Sequence, residues 1–400
     1  MEKRISSRAA AIAPSLTLVI TARSKAMKAA GEPVISFGAG EPDFNTPGYI
    51  MDAAKAAMDE GKTKYTASAG IMPLRQAICN KLKRDNGLDY EPSQIVVSNG
   101  AKHAIFNAMF ATIEAGDEVI IPVPYWLTYP ELVRVCGGVP VYVESSKENG
   151  FKVTAEQVKA AITPKTKMLI FNSPNNPTGA VYSEEETKAI AAVCEEAGIY
   201  VLADEIYEKL VYEGAKPYSI ARCSEKMKDL TLTVNGVSKS YAMTGWRIGY
   251  LAAPKDVAKA ADSFQSHATS NPNTIAQYAT LAALEEPEDE VAKMIAVYAE
   301  RRRLMLARIA KIKGVTCVVP SGAFYVMLVV SGLYGKQSGG KTINGSLDFA
   351  DAILTAEKVA VIPGACFGQD DCIRLSYAFD TQEMLEGLDR IDRFVQSLLQ

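Results

Sequence analysis

Short apolar runs alternate with longer amphipathic segments through the middle of this chain. Runs typical of strands buried on both faces lie at residues 94–98, 118–122, 168–172, 200–203, 231–234 and 247–252. Segments of helical length separate most of them, for example residues 102–114, 125–135 and 183–197. Because parallel strands covered by helices on both faces are apolar throughout, this pattern predicts an α/β fold built on a mainly parallel sheet.

The pattern changes after Pro287. A charged segment through residues 300–313 predicts a long helix, and a last helix is predicted from Thr381. Between them lie a hairpin-like stretch at residues 320–326 and a polar, glycine-rich loop at residues 331–345, which is the clearest candidate for a mobile excursion. These changes predict three parts: an N-terminal segment 1–45, a large domain 46–290, and a small C-terminal domain 291–400 against which the N-terminal segment packs.

The composition is that of a soluble globular protein. Of 400 residues, 48% are hydrophobic and 22% charged, and 43 lysines and arginines nearly balance 46 aspartates and glutamates, which leaves a net charge of −3. This balance argues against nucleic acid or an anionic membrane as a partner. The 7 cysteines are scattered without a CxxC pair, which argues against a disulfide framework or a metal site and favours a reducing cytosol. No apolar stretch reaches the roughly 20 residues that span a bilayer.

Polar residues cluster in the loops that follow the predicted strands. In an open parallel sheet, ligands bind at this edge. Residues 98–102, Ser-Asn-Gly-Ala-Lys, suit a phosphate at a helix N-terminus, although the same residues also form ordinary turns. Residues 173–179, Ser-Pro-Asn-Asn-Pro-Thr-Gly, either present an amide or cap a turn. Asp204 and Tyr207 place a carboxylate and a phenol at the same edge, where an acid more often caps a helix.

A lysine follows the next strand along the chain. Lys239 lies in Ser238-Lys239-Ser240-Tyr241, and Arg247 comes eight residues later. A single lysine is usually a solvated surface charge. Residues 235–250 as a whole, however, resemble the segment that carries the Schiff-base lysine in the pyridoxal 5′-phosphate (PLP) aminotransferases of fold type I.

The order of the motifs is similar to that of the class I/II aminotransferases over nearly the whole chain, from Gly38 to Tyr377. Within that family the chain resembles the bacterial aspartate and aspartate/prephenate aminotransferase branch through residues 40–43, Gly-Glu-Pro-Asp, and 242–247, Ala-Met-Thr-Gly-Trp-Arg. The resemblance implies a large domain with a mainly parallel seven-stranded sheet flanked by helices, and a smaller α+β domain. It also implies a PLP ping-pong mechanism that moves the amino group of an amino acid, expected to be aspartate, to a 2-oxo acid such as 2-oxoglutarate.

The resemblance assigns roles around the cofactor. Lys239 is the Schiff-base lysine and proton shuttle, and Asp204 pairs with the pyridine nitrogen so that the ring acts as an electron sink. Tyr207 and Asn176 reach the 3′-oxygen, and Trp126 stacks on the ring. The phosphate is held by Gly100, Ala101, Lys102, Ser238 and Arg247. Tyr65 matches a tyrosine that reaches the phosphate from the neighbouring subunit, which implies a homodimer with shared active sites.

The same resemblance assigns the substrate contacts. Arg374 forks onto the α-carboxylate, a task that suits a planar guanidinium. Asn176 lies beside that carboxylate, and Trp126 also belongs to the substrate site. Gly40 lets the substrate approach the backbone, and its loop and the small domain are expected to close over the substrate.

A second cation is needed for a dicarboxylate substrate. In animal and enteric aspartate aminotransferases, an arginine from the partner subunit reads the distal carboxylate, but the matching residues 266–273 contain no arginine. In the bacterial branch a lysine of the phosphate loop takes this role, and Lys102 occupies its place. We therefore expect Lys102 to read the distal carboxylate with help from Ser15 or Thr17, unless it only supplements the phosphate site or points to solvent.

Several alternatives stay open at this point. Aromatic amino acids or prephenate are alternative substrates, and a PLP lyase or 1-aminocyclopropane-1-carboxylate synthase shares the lysine, aspartate, tyrosine and both arginines. An aminotransferase-like transcriptional regulator would need a DNA-binding domain before the family pattern, which begins by about residue 36. A Rossmann oxidoreductase is disfavoured because no GxGxxG motif follows the first strand. The two histidines, His103 and His267, are expected to make ordinary structural contacts.

Overall fold

The computed structural model describes residues 4–400, and its regular elements follow the predicted alternation. The helices are α1 (Ser7–Ala11), α2 (Leu16–Ala29), α3 (Gly48–Asp59), α4 (Met72–Lys81), α5 (Ala101–Thr112), α6 (Thr128–Val135), α7 (Ala155–Ala161), α8 (Glu184–Ala197), α9 (Glu225–Leu230), α10 (Lys255–Ala268), α11 (Thr274–Glu285), α12 (Asp289–Ile309), α13 (Ser346–Glu357) and α14 (Thr381–Leu399). None of the helices described here combines the length and apolar character that a membrane span requires.

The strands form one large sheet and several smaller ones. They are β1 (Ile35–Ser36), β2 (Ile95–Ser98), β3 (Glu118–Val123), β4 (Val139–Glu144), β5 (Thr166–Asn172), β6 (Tyr200–Asp204), β7 (Thr231–Gly236), β8 (Gly249–Ala252), β9 (Thr316–Cys317), β10 (Tyr325–Val329), β11 (Gln337–Ser338), β12 (Lys341–Thr342), β13 (Val359–Ala360), β14 (Ile362–Pro363) and β15 (Cys372–Ser376).

The large sheet has the seven-strand order β2-β8-β7-β6-β5-β3-β4. Its strands are parallel except β8, which runs antiparallel to both β2 and β7. The predicted α/β fold with a mainly parallel seven-stranded sheet is therefore confirmed. The edge strand β4 was not among the apolar runs identified from the sequence. Its side chains are mostly exposed or half-buried and it contains Pro140, which an edge position tolerates because one side of the strand lacks a partner.

Helices cover both faces of this sheet, which explains the continuous apolar character of its strands. Along β5, Met168 and Ile170 pack in the cluster that contains residues of α5 and α10. Leu169 and Phe171 point to the opposite face and pack in the cluster that contains residues of α8. Successive residues of a strand face opposite sides of the sheet, so both sets must be apolar.

The C-terminal part is built around an antiparallel sheet of order β14-β15-β10-β9. Its core includes residues of α12, α13 and α14. Residues 320–326, predicted as hairpin-like, instead lead into β10, which pairs with β15, and residues 331–345 contain the small β-ladder of β11 and β12. The parallel pairing of β1 with β13 joins the N-terminal segment to this region. The division at residues 45 and 290 stays a prediction.

Candidate active site

A cavity of about 660 Å³ lies at the carboxyl ends of the parallel strands β5, β6 and β7. β5 ends at Asn172 and β6 at Asp204, and these two residues are register partners, so their loops open at the same edge. The cavity brings together most of the residues singled out from the sequence: Gly40, Ala101, Lys102, Trp126, Asn176, Asp204, Tyr207, Ser238, Lys239, Arg247 and Arg374. Residues from separate strand ends therefore converge on one site, as the topology of an open parallel sheet requires.

Lys239 follows β7 and projects its half-buried side chain into the cavity. Its Nζ donates a hydrogen bond to the carbonyl oxygen of Gly40 at 2.5 Å. Burial lowers the pKa of Lys239 to about 8; the carboxylate of Glu41 opposes this shift, and the guanidinium groups of Arg374 and Arg247 reinforce it. Lys239 is therefore an amine that can lose its proton close to neutral pH.

Asp204 is buried at the end of β6, and two donors hold its carboxylate. The hydroxyl of Tyr129 donates to Oδ2 at 2.7 Å, and the backbone N–H of Ile206 donates to Oδ1 at 3.2 Å. Burial raises the pKa of Asp204, whereas these two hydrogen bonds oppose the rise. The acid is thus held in one orientation by a fully buried phenol that the sequence analysis did not single out.

Arg374 is buried on β15, and its guanidinium lies over two aromatic rings. The guanidinium carbon lies 4.3 Å from the ring centre of Tyr325 and 5.1 Å from that of Phe367. Nη1 donates to Oδ1 of Asn176 at 3.0 Å and Nη2 to the carbonyl oxygen of Gly38 at 3.4 Å. Nε is buried without a hydrogen-bond partner among residues 4–400. A buried guanidinium with an unused donor suits an incoming carboxylate.

The loop before α5 is shaped around Arg247. Gly100 caps this helix with φ at +86°, and a Cβ added there would overlap the Arg247 guanidinium. Arg247, itself at φ +57°, donates to the carbonyl oxygens of Thr244 at 2.8 Å and Asn99 at 3.3 Å. Glycine is required at position 100 because it accepts positive φ and leaves room for the guanidinium against the helix start. This places a cation beside the free N–H groups of a helix N-terminus.

Lys102 and Thr17 lie in the same cavity on the side of α2. Lys102 Nζ is 5.0 Å from the ring centre of Trp126. Burial lowers the pKa of Lys102, and the charge of Arg247 adds to the effect. The hydroxyl oxygens of Ser15 and Thr17 are 3.0 Å apart, so Ser15 reaches the cavity only through Thr17.

Tyr65, which was predicted to reach the cofactor phosphate, lies away from the cavity of its own chain. Its side chain is 89% exposed, and it does not line the cavity of its own chain. The two histidines also lie outside the cavity lining. Nδ1 of His103 accepts a hydrogen bond from the backbone N–H of Asn99 at 3.2 Å, and His267 is exposed near the end of α10.

Four side chains around the site were not predicted from the sequence: Glu41, Tyr129 and Tyr325 line the cavity, and Phe367 lies against the Arg374 guanidinium. Tyr129 follows Trp126 by three residues, and this short spacing at the start of α6 was the available signal. Tyr325 lay in the stretch interpreted only as a hairpin, and Phe367 in no motif at all. Single aromatic residues in apolar surroundings are most often core, so the pattern does not distinguish them.

Comparisons with known proteins find relatives over nearly the whole length of the chain. The chain matches the family model described as aminotransferase class I and II over residues 32–391. It is 49% identical over 394 residues to the aspartate aminotransferase of Geobacillus stearothermophilus, covering 98% of this chain and 99% of the relative. It is 47% identical over 400 residues to the probable aspartate/prephenate aminotransferase of Aquifex aeolicus, covering 100% of both chains. The fold matches the crystal structure of the aspartate aminotransferase from Rhizobium meliloti with a TM-score of 0.96 and 43% identity, covering 99% and 100% of the two chains.

The family model therefore matches most of the chain, and the relatives are covered over nearly their full length. The chain belongs to the class I and II aminotransferases. The predictions of this family, of its fold type I architecture and of an amino-transferring enzyme are confirmed.

Proposed function

We propose that this protein is a PLP-dependent aminotransferase that takes the amino group preferentially from aspartate and delivers it to a 2-oxo acid such as 2-oxoglutarate in a ping-pong mechanism. The observation that carries the proposal is the convergence of Lys239, Asp204 and Arg374 in one cavity. Family membership supports the cofactor, and the names of the relatives support the donor.

The cavity residues fit PLP. The phosphate would be held by the N–H groups at the start of α5, where Gly100 leaves the space that Arg247 uses. The residues for this end are Gly100, Ala101, Lys102, Ser238 and Arg247. Trp126 would stack on the ring, Asp204 would face the ring nitrogen, Tyr207 and Asn176 would reach the 3′-oxygen, and Lys239 would anchor the cofactor covalently. When bound, PLP supplies an electron sink for negative charge at the substrate Cα.

Two residues of the chain manage protons in this proposal. Asp204, oriented by Tyr129, holds a proton on the ring nitrogen through a buried carboxylate. Once the substrate amino group has displaced it from the cofactor, Lys239 Nζ would be a free amine that takes the proton from the substrate Cα and delivers it to C4′ of the cofactor. The lowered pKa of Lys239 supports this role because both protonation states are then accessible near neutral pH.

Arg374 would bind the substrate α-carboxylate. Its ring contacts and its bond to Asn176 fix the plane of the guanidinium before substrate arrives, and its Nε has no other partner among the described residues. A preorganised donor loses less conformational entropy on binding. Gly40, whose carbonyl oxygen accepts from Lys239, forms the adjacent wall.

Lys102 is proposed to read the distal carboxylate, with Thr17 nearest and Ser15 behind it. Lys102→Ala should reduce kcat/KM for aspartate about 10- to 100-fold, the range for losing a charge-assisted hydrogen bond, and change kcat/KM for alanine much less. Lys167→Ala is the matched control, since Lys167 also lies near an aromatic ring, that of Tyr200, but outside the cavity. Equal losses on aspartate and alanine would remove this role.

The protein is proposed to work as a homodimer with Tyr65 contributed across the interface to the phosphate. The high exposure of Tyr65 in the single chain supports this arrangement. A mixture of Tyr65→Ala and Lys239→Ala subunits tests it, because a hybrid dimer would contain one site with both native residues and recover activity. A monomer in sedimentation analysis would contradict the proposal. We also propose a cytosolic location, which the seven free cysteines support.

The deciding experiment is a two-substrate screen of the purified protein. Amino donors are tested against 2-oxoglutarate and oxaloacetate, and aspartate with 2-oxoglutarate should give the highest kcat/KM. Prephenate is included as acceptor because the Aquifex aeolicus relative is named an aspartate/prephenate aminotransferase. Conversion of amino acids without amination of any 2-oxo acid would instead indicate a lyase. Lys239→Ala should neither turn over nor retain cofactor after borohydride reduction, and the opposite result would refute the assignment of Lys239.

A further inference from the structure

Tyr325 contacts two parts of the cavity that have different tasks in the proposed function. It is buried at the start of β10, and its side chain lines the cavity. Its ring faces the Arg374 guanidinium at 4.3 Å from ring centre to guanidinium carbon. Its hydroxyl oxygen lies 2.9 Å from that of Tyr207. One side chain therefore touches both the expected carboxylate site and a residue expected to contact the cofactor.

The ring contact follows from the register of the small sheet. Tyr325 pairs with Ser376 across β10 and β15, which makes Arg374 its diagonal neighbour on the same face. Phe367 lies on the guanidinium as well, at 5.1 Å. A guanidinium held over aromatic faces keeps its plane fixed while its edge stays free to donate, which is the geometry a carboxylate needs.

The hydroxyl contact decides where the proton of Tyr207 points. Tyr207 is buried, and within the described residues its hydroxyl has Tyr325 as its hydrogen-bond partner. Charged groups around Tyr207 are Arg374, Asp204 and Lys239, the last with Nζ 5.9 Å from the Tyr207 ring centre. If the Tyr325 hydroxyl donates to Tyr207, the hydroxyl proton of Tyr207 can point into the cavity. If Tyr207 donates to Tyr325 instead, that proton is used in the bond between the two tyrosines.

We propose that Tyr325 is a positioning residue with two separable parts. Its ring holds Arg374 ready for the substrate α-carboxylate, and its hydroxyl donates to Tyr207 so that Tyr207 in turn donates toward the 3′-oxygen of the cofactor. Successive hydrogen bonds polarise one another, so the outer donor strengthens the inner one. The inference rests on the proposed function.

Two variants of the PLP-loaded protein separate the parts. Tyr325→Phe keeps the ring and removes the hydroxyl. In this variant Tyr207 would donate a weaker hydrogen bond to the negatively charged 3′-oxygen of the cofactor. The pH midpoint of the cofactor absorbance change should therefore rise by roughly 0.3–1 pH unit. In Tyr325→Phe the dissociation constant of succinate, a dicarboxylate without an amino group, should change less than about twofold. Tyr325→Leu removes both ring and hydroxyl, so it should shift the midpoint and also raise the succinate dissociation constant about tenfold.

Tyr377→Phe is the matched control. Tyr377 is buried in the same core and donates to the carbonyl oxygen of Ala323 at 3.1 Å, but it does not line the cavity. Tyr377→Phe should lower the stability of the protein but leave both the pH midpoint of the cofactor absorbance and the succinate dissociation constant unchanged. An unchanged midpoint in Tyr325→Phe would overturn the hydroxyl role, and wild-type succinate affinity in Tyr325→Leu would overturn the ring role. A wild-type protein that forms no PLP absorbance band would instead refute the proposed function, and this inference with it.

Discussion

Lys239 carries a charge that the folded protein disfavours, and this predicts a stability difference that is measurable without cofactor. The perturbation is Lys239→Met, which keeps most of the side-chain length and removes the ammonium. Burial lowers the pKa of Lys239 from 10.5 to about 8, with Glu41 opposing and Arg374 and Arg247 reinforcing the shift. An unfolded chain keeps the ordinary lysine value, so the two states bind different numbers of protons over a defined pH range.

The sign and the size follow from this difference. Below pH 8 the lysine is charged in both states and the folded protein carries the full penalty. Between pH 8 and 10.5 the folded protein loses the proton first, the unfolded chain binds more protons, and stability rises with pH. At about 1.36 kcal/mol per pH unit the upper limit is about 3.4 kcal/mol. Because the side chain is only half-buried and loses a hydrogen bond to Gly40 on substitution, we expect about 1–2 kcal/mol.

The assay is thermal unfolding of the cofactor-free protein at several values between pH 7 and 10.5. At pH 7 Lys239→Met should be the more stable protein by about 1–2 kcal/mol, or roughly 1–4 °C in Tm. The difference should shrink as pH rises through the folded pKa of about 8. Lys167→Met is the control, since Lys167 is half-buried outside the cavity. If wild type and Lys239→Met differ by the same amount at pH 7 and pH 10.5, the reasoning is wrong.

Single substitutions elsewhere in the cavity test its other contacts. Gly100→Ala puts a methyl group where the Arg247 guanidinium lies, so the PLP dissociation constant from a fluorescence titration should rise at least about tenfold; wild-type affinity would contradict this. Tyr129→Phe removes a donor to Asp204 and should raise the same constant about 3- to 30-fold, and no rise would exclude a role for that hydroxyl in cofactor binding. Arg374→Lys should raise KM for aspartate and alanine alike, about 10- to 100-fold; an effect on aspartate alone would place the arginine at the distal carboxylate.

The central sheet shows how far the pattern of apolar residues reaches. The strand β5 could be predicted from its uninterrupted apolar run. That run is needed because the residues of β5 pack against helices on both faces of the sheet. The edge strand β4 is exposed along much of its length, so the same criterion did not identify it. The pattern of apolar residues also could not predict that β8 runs antiparallel to its neighbours, because an apolar strand has the same composition in either direction.

The sequence by itself determined the family, the α/β sheet and the loops in which reactive groups lie, because strand ends and motif spacing are local properties of the chain. Tertiary structure alone decided which aromatic side chains serve those groups. Tyr129 contacts Asp204 across 75 residues, and Tyr325 contacts Tyr207 across 118. An apolar pattern indicates that a residue is buried, but it does not identify the residues it packs against. Burial follows from the residue's own apolar character, whereas its contacts depend on how whole helices and strands pack together.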